Sequence, residues 1–177
     1  MKPSRHDAPS GAAGSLQGAC ACGRLRRATR ALTQLYDDAM APAGLRVTQF
    51  SVLRTLARDG STRISDLASQ QLLDRTAMSR HLDPLVKRGL VSIGRGSDGR
   101  TREVAITAGG MRELHDAEPY WKKAQREVER TLGNRKLTAL IAMLHELEAL
   151  HPDLAAPRAS SEAKPEPSRR TRRATIA

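Results

Sequence analysis

The segment GRGSDGR, Gly94–Arg100, contains G-x-G-x-x-G, the spacing of a dinucleotide-binding loop. That chemistry needs a buried strand before the glycines and a helix opening within them, whose N-terminal amides hold the pyrophosphate. Here the residues after Gly99 read RTREVAIT, an alternating run with β-branched side chains. A strand follows, so no helix dipole meets the loop. Asp98-Gly99 instead predicts the turn of a β-hairpin, because that pair tolerates positive φ. Arg95, Arg100 and Arg102 flank the turn. A hairpin tip that carries arginines can follow a phosphate backbone or enter a minor groove. The same charges also guard a strand edge against aggregation.

Two other clusters hold reactive residue types. HELEALH places His145, Glu146 and His151 close together. A zinc-protease helix needs its histidines four apart on one face, and these are six apart. Cys20-x-Cys22 lacks a second ligand pair, which argues against a structural zinc site. No serine, histidine and carboxylate form an ordered nucleophile, base and orienter. The expectation is a protein that is not an enzyme and that uses no metal or cofactor.

Charge points elsewhere. The chain has 177 residues with 30 Lys+Arg against 19 Asp+Glu, a net charge of +11. Such an excess favours a polyanion, either nucleic acid or an anionic membrane. Tyr36, Phe50, Tyr120 and Trp121 are its aromatic residues. Modules that stack single-stranded bases need a platform of such rings, so double-stranded DNA is the more natural anion. No apolar run approaches the ~18 residues of a membrane span, and the first residues lack a signal-peptide core. The expected location is cytoplasmic, with no membrane partner.

The elements that must position these residues follow from apolar spacing. Residues 1–15 are rich in Gly, Ala, Pro and Ser and read as a disordered arm; residues 152–177 carry four prolines and RRTRR and read as a disordered basic tail. Residues 16–151 form the expected domain. Leu25, Ala28, Leu32, Leu35, Tyr36 and Met40 mark a first long helix that Pro42 and Gly44 stop. Val47, Phe50, Leu53 and Leu56 mark a second, ended by Asp59-Gly60. Ile64, Leu67 and Ala68 suit a short third, with Ser65 a candidate cap. Asp74 caps a fourth with a buried side of Met78, Leu82, Leu85 and Val86; Pro84 lies within it and is expected to bend or shorten it. After Gly89 come VSI and TREVAIT, the two arms of a single hairpin. Thr107 caps a fifth helix through about Arg130, Gly133-Asn134 breaks it, and Leu137, Leu140, Ile141, Leu144 and Leu147 line one side of a sixth. The apolar stripes of the first and last helices exceed what a small DNA-binding core can cover, which predicts a homodimer.

The third and fourth helices form a helix–turn–helix pattern. The first turns of the fourth expose Arg75, Thr76, Ala77, Ser79 and Arg80. Short side chains let the backbone approach a major groove, and the arginines can reach guanine edges or phosphates. Two packed helices with a polar outer face would show the same pattern; the arginine hairpin that follows favours DNA.

Here the chain resembles the MarR family of winged helix–turn–helix regulators. GLRVTQFSVLRTL, ISDLA, LDRTAMSRHLDPLVKRGLV and SDGRTREVAITAGG carry the resemblance, with D-x-R at Asp98 and Arg100 and T-x-x-G at Thr107 and Gly110. It covers roughly Cys20 to Leu150. It implies a mainly α fold with one β-hairpin wing, paired in a homodimer by long flanking helices. A recognition helix and wing would bind an inverted-repeat operator. It further implies a repressor relieved by a small molecule or by oxidation; a non-specific architectural DNA-binding protein is the alternative. One departure stands out. The turn before the recognition helix usually has an apolar residue and then glycine, and here these are Gln71 and Leu72, so its geometry is expected to change or the third helix to run longer.

Cys22, Thr29-Arg30 and Tyr36 are spaced as in the organic-hydroperoxide-sensing branch of the family. There a first-helix cysteine is oxidised and a tyrosine hydrogen-bonds near it. Arg26 stands where that branch tends to have a second tyrosine. The competing reading is a structural cysteine and an apolar effector pocket lined by Tyr36 and Trp121.

Overall fold

A computed structural model describes residues 20–96 and 99–151. The expected arm over 1–15, the tail over 152–177 and Asp98 lie outside the described residues. The chain divides into two compact units, one ending at Leu137 and the other beginning at Thr138.

Helical apolar spacing becomes six α-helices among the described residues: α1 (Ala21–Met40), α2 (Val47–Asp59), α3 (Ile64–Gln70), α4 (Arg75–Lys87), α5 (Ala108–Leu132) and α6 (Asn134–Glu148). Pro42 sits in a short 3₁₀ turn after α1, and Gly44 ends that turn at φ 64°. Three strands, β1 (Thr62–Arg63), β2 (Val91–Arg95) and β3 (Arg102–Ile106), form an antiparallel sheet in the order β1-β3-β2. The expected hairpin is β2–β3, in register from Val91 opposite Ile106 to Arg95 opposite Arg102. The third strand was not anticipated. Thr62 and Arg63 pair with Val104 and Glu103, and two residues are too few to show a period.

One buried cluster joins these elements. Met40 from α1, Leu53 and Leu56 from α2, Leu67 from α3, Met78, Leu82 and Leu85 from α4, and Val104 from β3 lose essentially all exposure. Each fully buried Leu or Met is worth about 1.5–3 kcal/mol.

Several local expectations are corrected. Ser65 does not cap α3: it lies inside the helix, and its hydroxyl donates to Asp66 Oδ1 at 3.2 Å. Val86 is 40% exposed, because the buried stripe of α4 runs through Met78, Leu82 and Leu85. Pro84 does not shorten α4, which continues to Lys87, and the Arg88 N–H bonds the Pro84 carbonyl at 3.2 Å. The Thr107 hydroxyl does cap α5, accepting the Gly110 N–H at 3.0 Å, and it donates to the Gly89 carbonyl at 2.7 Å. Gly110 is buried against the Leu90 carbonyl, where an added Cβ would overlap that oxygen. The T-x-x-G pair is therefore the joint that seats α5 against the chain just after α4.

Both terminal helices keep apolar surface in water. On α1, Leu32 is 41% exposed and Ala28 is exposed, although both lie on its apolar stripe. No residue of α6 is buried, and Ile141, Met143 and Leu147 are exposed.

Candidate nucleic-acid interface

The recognition helix begins on two local devices. Asp74 Oδ1 accepts the Ala77 N–H at 2.8 Å, so one orphan amide of the first turn is satisfied. Before it, α3 stops at Gln70 and Leu72 turns left-handed at φ 52°. The Leu73 N–H bonds the Ala68 carbonyl at 2.9 Å and the Leu72 N–H bonds the Ser69 carbonyl at 3.1 Å. These two bonds make a Schellman motif, whose left-handed position usually belongs to glycine. The turn thus keeps a standard helix-ending geometry with leucine in it, and α3 runs no longer. The steric cost is about 1–2 kcal/mol. Leu73 offsets part of it by packing against the core.

The structure sorts the expected DNA-contacting residues. Arg75, Thr76 and Arg80 are exposed; Ala77 and Ser79 are half-buried. The Ser79 hydroxyl donates to the Arg75 carbonyl at 2.9 Å, which ties it to its own helix. Arg75 faces the wing. With Arg63, Ile64, Ser65, Arg100, Thr101 and Arg102 it lines a small cleft of ≈ 120 Å³. Arg80 faces the start of α2 and shares a larger cleft with Arg46, Thr48, Gln49 and His81. Arg95 and Arg102 lie directly opposite each other across the wing, both exposed. The Gly99 N–H closes a turn onto the Gly96 carbonyl at 2.9 Å, with Gly99 at φ 67°. This is the positive φ expected of the Asp98-Gly99 turn, and a strand rather than a helix follows the glycine segment. Arg46, Thr48, His81 and Arg63 were not legible in the sequence, since each joins the lining of these clefts through packing between distant elements.

A second site lies between α2 and α5. Phe50, Arg54, Leu114, Glu118 and Trp121 line a cleft of ≈ 370 Å³. The Phe50 and Trp121 rings stack at 5.8 Å, and the Arg54 guanidinium stands 4.8 Å from the Trp121 centroid. Trp121 therefore lines a cleft as expected, but that cleft carries both charges and is not simply apolar. Tyr36 is not in its lining. Its ring lies 6.4 Å from Trp121, and its hydroxyl donates to Gln125 Oε1 at 2.6 Å. Burial, then the Glu129 carboxylate, raises the Tyr36 pKa. Cys22 lies in the first turn of α1, exposed and free like Cys20. Cys22 and Tyr36 share one helix, with about 21 Å of rise between them at 1.5 Å per residue. Within one chain they do not meet. Among the described residues no cluster of His, Cys, Asp and Glu could hold a metal, and no helix is long and apolar enough to cross a membrane.

The sequence model of the MarR family matches residues 45–100, from the start of α2 to the wing. The M. tuberculosis transcriptional regulator MosR, in a complex with DNA, is 36% identical with a TM-score of 0.66; the match covers 75% of this chain and 99% of that one. The chain belongs to the MarR family. Its fold is the MarR winged helix–turn–helix, and it is a DNA-binding transcriptional regulator. MarR-family proteins are transcription regulators, not enzymes. Two more distant structures share the fold. A mutant MarR of E. coli complexed with operator DNA is 22% identical with a TM-score of 0.65, over 71% of this chain and 91% of that one. B. bronchiseptica BpsR, whose DNA binding is regulated by 6-hydroxynicotinic acid, is 19% identical with a TM-score of 0.64, over 72% of this chain and 97% of that one. The chain matches none of the curated proteins.

Proposed function

We propose that the protein is a homodimeric, cytoplasmic repressor that holds an inverted-repeat operator and releases it when a small effector occupies the α2–α5 cleft or when Cys22 is oxidised. The observation that carries the DNA side is the exposed basic face shared by two elements: Arg75 and Arg80 on α4, and Arg95, Arg100 and Arg102 on the wing. The exposed apolar residues of α1 and of α6 support a dimer, since a second copy would remove them from water at about 25 cal/mol per Å². A two-fold dimer sets its recognition helices about 34–36 Å apart, one turn of DNA, hence the inverted repeat. The ≈ 370 Å³ cleft supports the effector, because it offers a stacked aromatic wall and an arginine between the recognition helix's supporting layer and α5. The exposed Cys22 thiol supports the oxidative route.

Selection of duplexes bound by the full chain, combined with sedimentation, tests this reading. An inverted repeat bound by a dimer is expected, with affinity at least 10³-fold above random duplex at fixed salt. Equal affinity for both would indicate an architectural DNA-binding protein. Operator release by organic peroxide, compared between wild type and Cys22→Ser, separates the two routes of relief. Release of the wild type alone assigns Cys22; an unchanged complex leaves the cleft.

A further inference from the structure

The turn that leads into the recognition helix is bonded by its backbone to α3. The N–H groups of Gln71, Leu72 and Leu73 go to the carbonyls of Leu67, Ala68 and Ser69. These bonds shape the turn but leave its placing on α2, the supporting helix, to side chains. Leu73 packs on the core, and apolar packing is non-directional. Gln71 supplies a direction. Its amide Nε2 donates to Thr55 Oγ1 on α2 at 3.4 Å, across 16 positions of chain. This is a long bond, but its acceptor is buried: Thr55 is 8% exposed and is the one polar side chain in the buried set among the described residues. A hydroxyl taken out of water needs a partner. Asp59 lies four residues further on, on the same face of α2. The Arg58 guanidinium first, and the Gln70 amide with it, hold the Asp59 carboxyl below the usual carboxylate range. Two consecutive glutamines at the end of α3 thus engage two positions one turn apart on α2.

We propose that Gln71 is a positioning residue for the recognition helix: by bonding buried Thr55, with Gln70 beside it at Asp59, it fixes the α3–α4 turn on α2 and so the orientation in which α4 meets the duplex. The proposal rests on the reading that α4 reads DNA sequence. The role needs no contact between Gln71 and a base. It acts through Leu72, held left-handed at φ 52°, and through Asp74, whose carboxylate caps the first turn of α4. A base contact tolerates little displacement, because its hydrogen bonds are directional. Binding to random duplex is an electrostatic attraction to phosphates and tolerates more. Loss of the Gln71 bond therefore lowers sequence preference before it lowers affinity for random duplex.

The test uses the full chain, the duplex recovered by selection and a random duplex of equal length, at fixed salt. Gln71→Leu keeps side-chain bulk and removes the amide. Thr55→Val keeps the shape and removes the hydroxyl. Each is expected to bind the selected duplex about fivefold more weakly, as for loss of one hydrogen bond, and random duplex as wild type does. The double variant should lose no more than either single one, since both remove the same bond. Thr55→Ser keeps the hydroxyl and should keep the wild-type preference. Hydrogen exchange of the Leu72 and Leu73 amides should quicken in Gln71→Leu. A side chain that merely stabilises the fold would lower the thermal midpoint and leave the ratio of the two affinities unchanged. The proposal fails if Gln71→Leu keeps the wild-type ratio, if it weakens both duplexes equally, or if the losses of the two single variants multiply. Wild type that prefers no sequence removes the operator reading instead. Exchange at Leu72 and Leu73 in Gln71→Leu then decides the hold on the turn, which stands if exchange quickens and falls if it does not.

Discussion

Asp37 on α1 accepts the backbone N–H of Val47, the first residue of α2, at 2.8 Å through Oδ1, while Oδ2 lies 3.3 Å from the Arg46 guanidinium. A carboxylate on the long N-terminal helix thus caps the helix that supports the DNA-reading pair. Asp37→Ala should cost about 1 kcal/mol, as for other lost caps. Asp37→Asn should recover most of that, since an amide oxygen still accepts. The Arg46 side chain is 75% exposed, so Arg46→Ala should change stability by less than about 0.5 kcal/mol. Urea midpoints of the three variants check this; a larger loss from Arg46 than from Asp37 would show that the ion pair, not the cap, holds the joint.

Leu72 is the one non-glycine residue at positive φ among the described residues. Leu72→Gly relieves the left-handed strain but adds flexibility to the unfolded chain, at about 0.5–1 kcal/mol. The balance predicts a gain of roughly 0.5 kcal/mol, with operator affinity unchanged. Thermal unfolding and a binding titration measure both. A destabilised variant would mean that the leucine side chain contributes more packing than its strain costs.

The wing and the recognition helix should fail differently on mutation. Arg100→Ala should weaken binding to selected and random duplexes alike and lower the salt slope by about 0.9. Arg80 faces away from the wing, toward Arg46, Thr48 and His81. If it reads a base, Arg80→Ala should cost about 1–3 kcal/mol and relax specificity at one position. Equal losses on every operator variant for both mutants would assign Arg80 to the phosphates.

Tyr36 gives the fold an alkaline limit. Its hydroxyl donates to Gln125, and burial and the Glu129 charge raise its pKa above 10.0. Ionisation is therefore harder in the folded chain than in the unfolded one. The stability this contributes is complete below the unfolded pKa and is lost as pH rises through the folded one. The unfolding midpoint of wild type should fall more steeply above pH 10.0 than that of Tyr36→Phe. Parallel curves would show that the Tyr36 proton is not linked to folding.

By itself the sequence determined whatever depends on a few neighbouring residues. Apolar spacing placed the helices, Asp74 and Thr107 marked two caps, and the β-branched run after Gly99 argued against a nucleotide loop. The arginines of α4 and the wing were legible for the same reason, since a helix start and a hairpin tip are local features. Tertiary structure decided what distant segments do to one another. Arg63 comes to line one cleft with Arg75 and Arg102 only because β1 pairs with β3 forty residues further on, opposite Glu103. Leu72 is held left-handed because Leu73 is drawn into the core, and Val86 is left in water because the buried stripe of α4 passes beside it. Tyr36 turns from the α2–α5 cleft to Gln125 because α1 packs along α5. A period or a cap is satisfied within about one turn of chain, whereas these placements are satisfied only by burial against partners that no local pattern names.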